Sequence, residues 1–309
     1  MENLSAECVG VMTSAWNNGG TVPFLSNTSG RIDNGGVELF VDLRAAAAPA
    51  GDVVLLLSEA EAPSTRWPES FIEGLAALGC AVIRFDTRDI GRSSWLEEPY
   101  GMDDLVADAR FVLDSFDVAS AHIFGRSMGG IVAQRLAMDS PERVTSLSLF
   151  SSTPGRREEF GLPERWLVEL MTERLYGDPP EGVVERVEWV IDQLEWFSGP
   201  LFDFDRVVAA RAVFAEVSEM WRGPNGHGHA VVEAEDRFDE LPLITAKSMV
   251  VHGTADPVYP VAHGQALAEQ LERASLTLIE GLGHELPARF VPQLVDLFAR
   301  LRERARSSQ

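Results

Sequence analysis

The chain has 309 residues, a formal net charge of −22 and 45% hydrophobic residues. This length and balance suit one globular domain, or one domain carrying an insertion, and they exclude collagen-like, coiled-coil and wholly disordered chains. A surface this acidic repels phosphate backbones and anionic lipids, so we expect neither nucleic acid nor a membrane as a partner. The longest apolar run, residues 53–57, is far below the roughly 20 residues of a membrane span.

The termini and the cysteines add expectations about location. No Lys or Arg precedes an apolar stretch near the start of the chain, so no secretory signal is predicted. Two cysteines, Cys8 and Cys80, are too few for a disulfide framework, and we expect reduced thiols in a cytoplasmic protein. No His/Cys pattern suits a metal ion, so we expect neither metal nor cofactor. A monomer and a homodimer both remain open.

Short apolar strands alternate with helical patterns along most of the chain. Residues 1–31 are predicted to be an irregular arm outside the core, with one short helix near residues 6–16. The predicted strands are residues 37–43, 53–57, 81–85, 121–124, 146–150, 248–251 and 276–279. The predicted helices around them are residues 68–78, 103–116, 128–139, 261–271 and 287–301. This alternation is typical of an α/β fold whose mostly parallel sheet is covered by helices on both faces.

The alternation stops between residues 154 and 239, where no buried strand is predicted. Amphipathic helical patterns occur there at residues 163–175, 183–197 and 205–221. We therefore predict a helical cap at residues 154–239, inserted into a core of residues 32–153 and 240–309. An insertion between two parallel strands would cover the carboxyl ends of the sheet, where ligands bind in open α/β folds.

The strongest motif is Gly-Arg-Ser-Met-Gly-Gly at residues 125–130, between a predicted strand and a predicted helix. G-x-S-x-G in this position is typical of a nucleophile elbow. The tight turn holds the serine in a strained conformation and leaves no room for larger neighbours, which explains the glycines. We predict that the Ser127 hydroxyl is exposed at the helix N-terminus and that the Met128 N–H can bind an oxyanion.

An acid and a histidine should follow such a serine in chain order. The strand at residues 248–251 leads to Asp256, and the strand at residues 276–279 leads to His284 on a glycine-flanked loop. All three residues therefore follow strand ends at one edge of the sheet. We predict that His284 accepts the Ser127 proton, while Asp256 orients the imidazole and stabilises its charged form.

Other side chains could compete for the roles of nucleophile and acid. Ser127 could be an ordinary helix N-cap, and Asp256 could be a turn former before a proline. The competing acids, which follow no predicted core strand, are Asp203, Asp205 and Asp239.

Five other histidines are weaker candidates for the base. His122 is expected to be a satisfied core residue within a strand, and His263 begins a predicted helix. His252 precedes the Asp256 loop and is expected to lie too early to reach the site. His227 and His229 flank a glycine in the predicted cap, where we expect a solvated loop and no metal site.

Residues 86–93, 125–130, 256–257 and 281–284 together resemble the α/β-hydrolase superfamily. Within it the chain looks most like the aclacinomycin methylesterase group, which acts on polycyclic polyketide methyl esters. The segments that carry this closer resemblance are residues 66–68, 84–93 and 197–199, and the likeness spans roughly residues 36 to 305. The resemblance implies an α/β-hydrolase fold with a cap and a serine esterase of antibiotic biosynthesis.

One segment departs from that family. Relatives usually carry His-Gly or a glycine-rich stretch after the strand that supplies the second oxyanion donor, whereas residues 58–63 read Ser-Glu-Ala-Glu-Ala-Pro. The backbone N–H of Ala60, or of Glu59, could still serve beside Met128. Either Glu59 and Glu61 turn to solvent and only the backbone matters, or a carboxylate opposes the oxyanion and changes the chemistry.

Three further residues near these motifs have expected structural roles. Asp86 and Arg88 are expected to pair with backbone and neighbouring loops. The Arg126 side chain is expected to point away from the nucleophile, towards neighbouring loops.

Aromatic side chains concentrate in the predicted cap, and most should form its own core. A subset facing Ser127 would make a broad apolar pocket suited to a bulky, flat substrate. They are Trp166, Tyr176, Trp189, Trp196, Phe197, Phe202, Phe204, Phe214 and Trp221.

Three functions are compatible with these residues. The favoured one is a cofactor-free serine hydrolase that cleaves a carboxylic ester, possibly a methyl ester, of a bulky hydrophobic small molecule. The second keeps the fold but changes the reaction to lactone or thioester hydrolysis, or to a cyclase or lyase reaction. The third is a ligand-binding homologue without turnover, which the position of Glu59 would favour.

Overall fold

The computed structural model describes residues 27–47, 51–201, 203–222 and 225–307. Within these ranges, eight strands form one sheet in the order β1-β2-β4-β3-β5-β6-β7-β8. The strands are β1 Thr28–Asn34, β2 Val37–Arg44, β3 Asp52–Leu57, β4 Cys80–Phe85, β5 Ala121–Arg126, β6 Val144–Phe150, β7 Ser248–Gly253 and β8 Ala274–Ile279. Strands β1 and β2 are antiparallel to their neighbours, and every pair from β4 to β8 is parallel. The predicted α/β fold is confirmed.

The helices alternate with the parallel strands as predicted, and a second group lies between β6 and β7. The core helices are α1 Glu69–Ala77, α2 Met102–Ser115 and α3 Met128–Asp139. The helices between β6 and β7 are α4 Arg165–Tyr176, α5 Val183–Ser198, α6 Arg206–Ala215 and α7 His227–Val232. The last two core helices are α8 Val261–Gln270 and α9 Val291–Arg306. The exact cap boundaries at residues 154 and 239 stay a prediction.

The apolar run of β3 is buried because its side chains alternate between two hydrophobic cores. Val53, Leu55 and Leu57 join the cluster that includes residues of α2, α3 and α8. Val54 and Leu56 join the cluster on the opposite face, which includes residues of α1 and α9. Burying one such side chain stabilises the fold by about 1.5–3 kcal/mol. A strand covered on both faces therefore needs a continuous apolar run.

Three predictions about elements need correction. Strand β1 starts at Thr28, so the last residues of the predicted 1–31 arm belong to the sheet; its polar residues form a strand by pairing with β2. The region predicted as one helix at residues 205–221 is α6 followed by a wider π-helical turn, Glu216–Met220. His227 begins helix α7 and is fully buried, so the solvated loop expected there is wrong.

The short helix predicted near residues 6–16 and the thiol of Cys8 lie outside the described residues. Cys80 is a free, buried thiol in β4, and burial raises its pKa to about 11. Among the described residues, no helix is both long and apolar enough to cross a membrane.

The loop after β4 is anchored by two buried charges, in agreement with the structural roles expected for them. Asp86 Oδ1 accepts hydrogen bonds from the Ser64 backbone and hydroxyl, both at 2.7 Å. Arg88 donates to both carboxylate oxygens of Asp108 on α2, at 2.7 and 2.8 Å, and the Asp108 side chain is fully buried. These contacts fix the loop between the sheet and α2.

Substitution of Asp108 by Ala should lower the free energy of unfolding by up to about 3–5 kcal/mol, because it leaves the buried Arg88 charge with only the half-exposed Asp104 carboxylate, 3.3 Å away. Urea denaturation followed by circular dichroism measures this loss. Asp114 on the same helix pairs with Arg143 at 2.7 Å but is more than half exposed. Asp114→Ala should therefore cost at most about 1 kcal/mol. Equal losses in the two variants would contradict the argument.

Candidate active site

Ser127 lies between β5 and α3 in an unusual backbone conformation, with φ 51° and ψ −118°. A positive φ is rare for a residue with a side chain and is typical of functional sites. The conformation is held from both sides. The Ser127 N–H donates to the Phe150 carbonyl of β6 at 3.0 Å, and the Ser152 hydroxyl donates to the Ser127 carbonyl at 2.9 Å. The predicted elbow is present in the structure.

The two glycines around Ser127 are required by close approach of the backbone. A Cβ on Gly125 would lie 2.3 Å from the Gly129 carbonyl oxygen. A Cβ on Gly129 would lie 2.1 Å from the carbonyl oxygen of Leu57. The first turn of α3 is therefore pressed against the end of β3, where the segment predicted to supply an oxyanion donor begins.

The structure brings Ser127, Asp256 and His284 together, each from the end of a different strand. His284 Nε2 lies 2.9 Å from Ser127 Oγ. His284 Nδ1 lies 2.9 and 3.1 Å from the two oxygens of Asp256. All three residues are buried. With Nδ1–H donating to Asp256, Nε2 is free to accept the Ser127 proton.

Asp256 is held in its charged form. Burial alone would raise the pKa of its carboxyl group, but the charge of His284 and the hydrogen bond to it hold that pKa below its usual value. Two backbone N–H groups, of Val258 and Tyr259, also donate to Asp256 Oδ1 at 2.9 Å. A carboxylate fixed by several donors keeps the imidazole in one orientation.

The last turn of cap helix α5 holds the loop that carries His284. The Phe197 carbonyl accepts the N–H groups of His284 at 2.6 Å and of Glu285 at 3.1 Å. The Ser198 carbonyl accepts the N–H of Gly283 at 3.1 Å. Carbonyls at a helix C-terminus have no partner within the helix, so they are free to bind this loop.

Tyr259 is a site residue that the sequence analysis missed. Its ring lies 5.5 Å from that of His284, centroid to centroid. Burial and the Asp256 charge raise the pKa of Tyr259 to about 12, while a side-chain hydrogen bond with Ser127 opposes that rise. In the sequence, the only indication of this role was that Tyr259 lies three residues after Asp256, the predicted acid.

The other histidines lie outside the hydrogen-bonded chain, although one comes close. His252 Nε2 lies 3.6 Å from Asp256 Oδ2 and 2.8 Å from the Tyr259 carbonyl. The expectation that His252 would not reach the site is therefore wrong, because its ring lies next to Asp256. His122 is buried in β5 and bonds Ser146 Oγ at 2.7 Å. His263 is buried in α8 and bonds Thr153 Oγ1 at 2.8 Å.

The segment without glycine after β3 is held by side chains. Trp67 Nε1 donates to the Ser58 hydroxyl at 3.1 Å. The Glu59 carboxylate lies 3.0 Å from the Arg126 guanidinium and is largely buried, so the expectation that it turns to solvent is wrong. Arg126 does point away from Ser127, as expected. The roles of Ala60 and Met128 as oxyanion donors stay predictions.

His227 fixes the same segment from the cap side. Its Nδ1 accepts the Glu61 N–H at 3.0 Å, and its Nε2 lies 2.8 Å from the Arg88 carbonyl. In the neutral ring Nε2 therefore carries the proton and donates to Arg88. Burial lowers the pKa of His227 to about 4, which favours this neutral form. Its sequence context, rich in glycine and polar residues, indicated a loop and gave no sign of these contacts.

The profile of the alpha/beta hydrolase fold family matches residues 55–287. The chain belongs to that family. Rhodomycin D methylesterase DnrP of Streptomyces peucetius is 31% identical over 261 residues, which cover 77% of this chain and 87% of that protein. Rhodomycin D methylesterase DauP of Streptomyces sp. strain C5 is 32% identical over 261 residues, with the same shares covered.

A solved structure shares the fold. The crystal structure of a hydrolase from Pseudomonas aeruginosa PA01 has a TM-score of 0.72 and 22% identity, covering 89% of this chain and 98% of that one. The resemblance to α/β hydrolases of the methylesterase type is confirmed, and the relatives indicate an esterase-type hydrolase.

The lowered pKa of His227 predicts a pH effect on stability. The unfolded chain takes up a proton near pH 6.5, whereas the folded chain resists it until about pH 4, so the folded state loses stability as pH falls through this range. The shift corresponds to about 3 kcal/mol in total. Because Asn accepts a hydrogen bond but does not titrate, His227→Asn should flatten this dependence.

Urea denaturation at several pH values between 4 and 7 measures the difference. Burial also lowers the pKa of His252 and His263, so these residues keep part of the slope in every variant. The control His229→Asn changes an exposed histidine on the same helix and should leave the slope unchanged. A His227→Asn variant with the wild-type slope would contradict the assignment.

Proposed function

We propose that the protein is a serine hydrolase that cleaves a carboxylic ester of a bulky, hydrophobic small molecule through an acyl-enzyme. The observation that carries this proposal is the chain of hydrogen bonds from Ser127 through His284 to Asp256. The names of the two methylesterase relatives support a methyl ester as the bond that is cleaved. The ion pair of Glu59 with Arg126 supports turnover over ligand binding alone, because the arginine offsets the carboxylate charge next to the proposed oxyanion donor Ala60.

In the proposed reaction, Ser127 Oγ attacks the ester carbonyl while His284 Nε2 takes its proton. The backbone N–H groups of Met128 and Ala60 stabilise the negative oxygen of the tetrahedral intermediate. His284 then gives the proton to the departing alcohol, which leaves the acyl group on Ser127. A water molecule, deprotonated by His284, attacks the acyl-enzyme, and the proton returns to Ser127 as the acid is released. Asp256 stabilises the imidazolium in both halves.

A cavity of about 430 Å³ lies between helices α4 and α5, and we assign the bulky part of the substrate to it. The indoles of Trp189 and Trp196 form part of its wall, with the Arg174 guanidinium 4.2 and 4.5 Å from their ring centroids. Its described lining residues do not include Ser127, Asp256 or His284. Trp196 nevertheless packs against the same apolar cluster as Tyr259, which neighbours Ser127. The volume of the cavity is typical of small-molecule pockets.

The function is tested by fluorophosphonate labelling and para-nitrophenyl ester turnover. Wild type should be labelled at Ser127 and should turn over esters; Ser127→Ala should lose labelling, and its kcat should fall by up to about 10⁶-fold. Ser120→Ala, which changes an exposed serine, should behave as wild type. Labelling without turnover would point to a specialised substrate, and conversion of a ring substrate without a hydrolytic product would favour a cyclase. Absence of both labelling and turnover would overturn the proposal.

The cavity predicts how the enzyme discriminates by substrate size. Trp196→Ala should raise KM for a bulky aromatic ester by about fivefold, because an aromatic contact contributes roughly 1 kcal/mol. It should change kcat/KM for para-nitrophenyl acetate by less than about twofold, since a small acyl group does not reach the indole. Trp166→Ala, a matched change of a cap tryptophan outside the lining, should affect neither ester. Equal losses on both esters would show that Trp196 is only structural.

A further inference from the structure

A single guanidinium joins three loops of the site. Arg126 is the last residue of β5, and its side chain is only 3% exposed. Its Nη1 lies 3.0 Å from Glu59 Oε1, and its Nη2 lies 2.7 Å from Glu285 Oε2. Nη2 also donates to the His284 carbonyl at 3.5 Å. We name this group, Glu59, Arg126 and Glu285, the carboxylate clamp.

Each member of the carboxylate clamp is the chain neighbour of a residue with a proposed role in the reaction. Glu59 directly precedes Ala60, the proposed second oxyanion donor. Arg126 directly precedes the nucleophile, and Glu285 directly follows the base. The clamp therefore acts on the backbone beside each of these residues and does not touch the reacting atoms.

We propose that Arg126 is a positioning residue, whose guanidinium sets the spacing of the oxyanion segment, the nucleophile and the base. This inference rests on the proposed function, because it assigns Arg126 a role in the proposed reaction. Two carboxylates that face the same buried space repel each other unless a cation lies between them. A planar guanidinium can hold both at once, one on each terminal nitrogen. Residues 58–63 contain no glycine that would let their backbone pack closely against its neighbours, so the pairing of Glu59 with Arg126 holds this segment in place.

The charges around the clamp explain why an arginine is needed there. Arg66 donates to both oxygens of Glu216 at 2.6 and 2.8 Å. Its charge also interacts electrostatically with the carboxylates of Glu59 and Glu285. The two arginines and three glutamates leave one negative charge in excess. Loss of Arg126 would leave Glu59 and Glu285 with only the Arg66 charge, which Glu216 already pairs, and the excess negative charge would stabilise the protonated form of His284.

The first test compares Arg126→Met with wild type on a para-nitrophenyl ester. We expect kcat to fall by about 10- to 100-fold, because misplacing one oxyanion donor costs up to about 10²–10³-fold. KM should change by less than about threefold. The acid limb of the kcat/KM profile should move to higher pH, because a protonated His284 cannot accept the serine proton. A folded Arg126→Met variant with wild-type kcat and an unmoved acid limb would overturn the inference.

Because Arg126→Met leaves two buried carboxylates unpaired, it could fail to fold. The variant Arg126→Met/Glu59→Gln/Glu285→Gln removes all three charges and keeps similar side-chain shapes. We expect its acid limb to return to the wild-type pH while its kcat stays low, since the clamp remains absent. Arg126→Lys should recover part of the kcat, because one ammonium cannot hold both carboxylates in the same plane. Wild-type kcat in the triple variant would refute a positioning role.

The matched control is Arg135→Met, which removes another buried arginine with an acidic partner. Arg135 pairs with Asp103 at 2.7 Å and donates to the Glu235 carbonyl at 2.7 Å, so it shares none of these partners with the clamp, and its loss should lower stability without moving kcat or the acid limb. A loss of kcat in this control equal to that in Arg126→Met would reduce the clamp to a general stabilising contact.

Hydrogen exchange gives a readout that needs no turnover, so it separates a failed inference from a failed function. In the triple variant, protection should fall in peptides covering residues 58–63 and 281–286, and in Arg135→Met it should not. Unchanged protection in both peptides would overturn the clamp even if wild type proves to be an active esterase. If protection is lost in the triple variant but wild type turns over no ester, the clamp stands as a spacing device and the proposed reaction is rejected.

Discussion

The backbone at Ser127 is the constraint on which the site depends. A positive φ at a serine costs of order 1–3 kcal/mol, which hydrogen bonds to Phe150 and from Ser152 help to offset. That conformation turns the chain sharply enough to press Gly129 onto the carbonyl of Leu57. The nucleophile, the start of α3 and the segment after β3 are thereby brought within a few ångströms. A side chain at Gly129 would force them apart, and the site would lose its arrangement.

The residues between β6 and β7 help to build the site. Helix α5 supplies the carbonyls that hold the His284 loop, and His227 of α7 accepts the Glu61 N–H in the segment after β3. Both contacts join the core to residues far away in the chain. The geometry of the site is therefore a joint property of the parallel sheet and of the insertion between its strands.

The core and the triad were predictable because their signals are local. The apolar run of β3, the glycines around Ser127 and the positions of Asp256 and His284 after strand ends are each contained within a few residues. Strand β1 was missed entirely because pairing with β2, and not apolar periodicity, forms it. The surroundings of Glu59 and His227 were missed because the partners are distant along the chain: Arg126 lies 67 residues from Glu59, and Arg88 and Glu61 lie 139 and 166 residues from His227.

The attachment of His284 to helix α5 couples access to chemistry. Three backbone hydrogen bonds join residues 283–285 to Phe197 and Ser198. Any opening motion that carried α5 away from the sheet would break them and displace the imidazole from Ser127. An open form of that kind would admit a substrate but would be inactive, so loading and bond cleavage would occur in separate states of the enzyme. A substrate bound in such a form would be protected from attack until the helix returned.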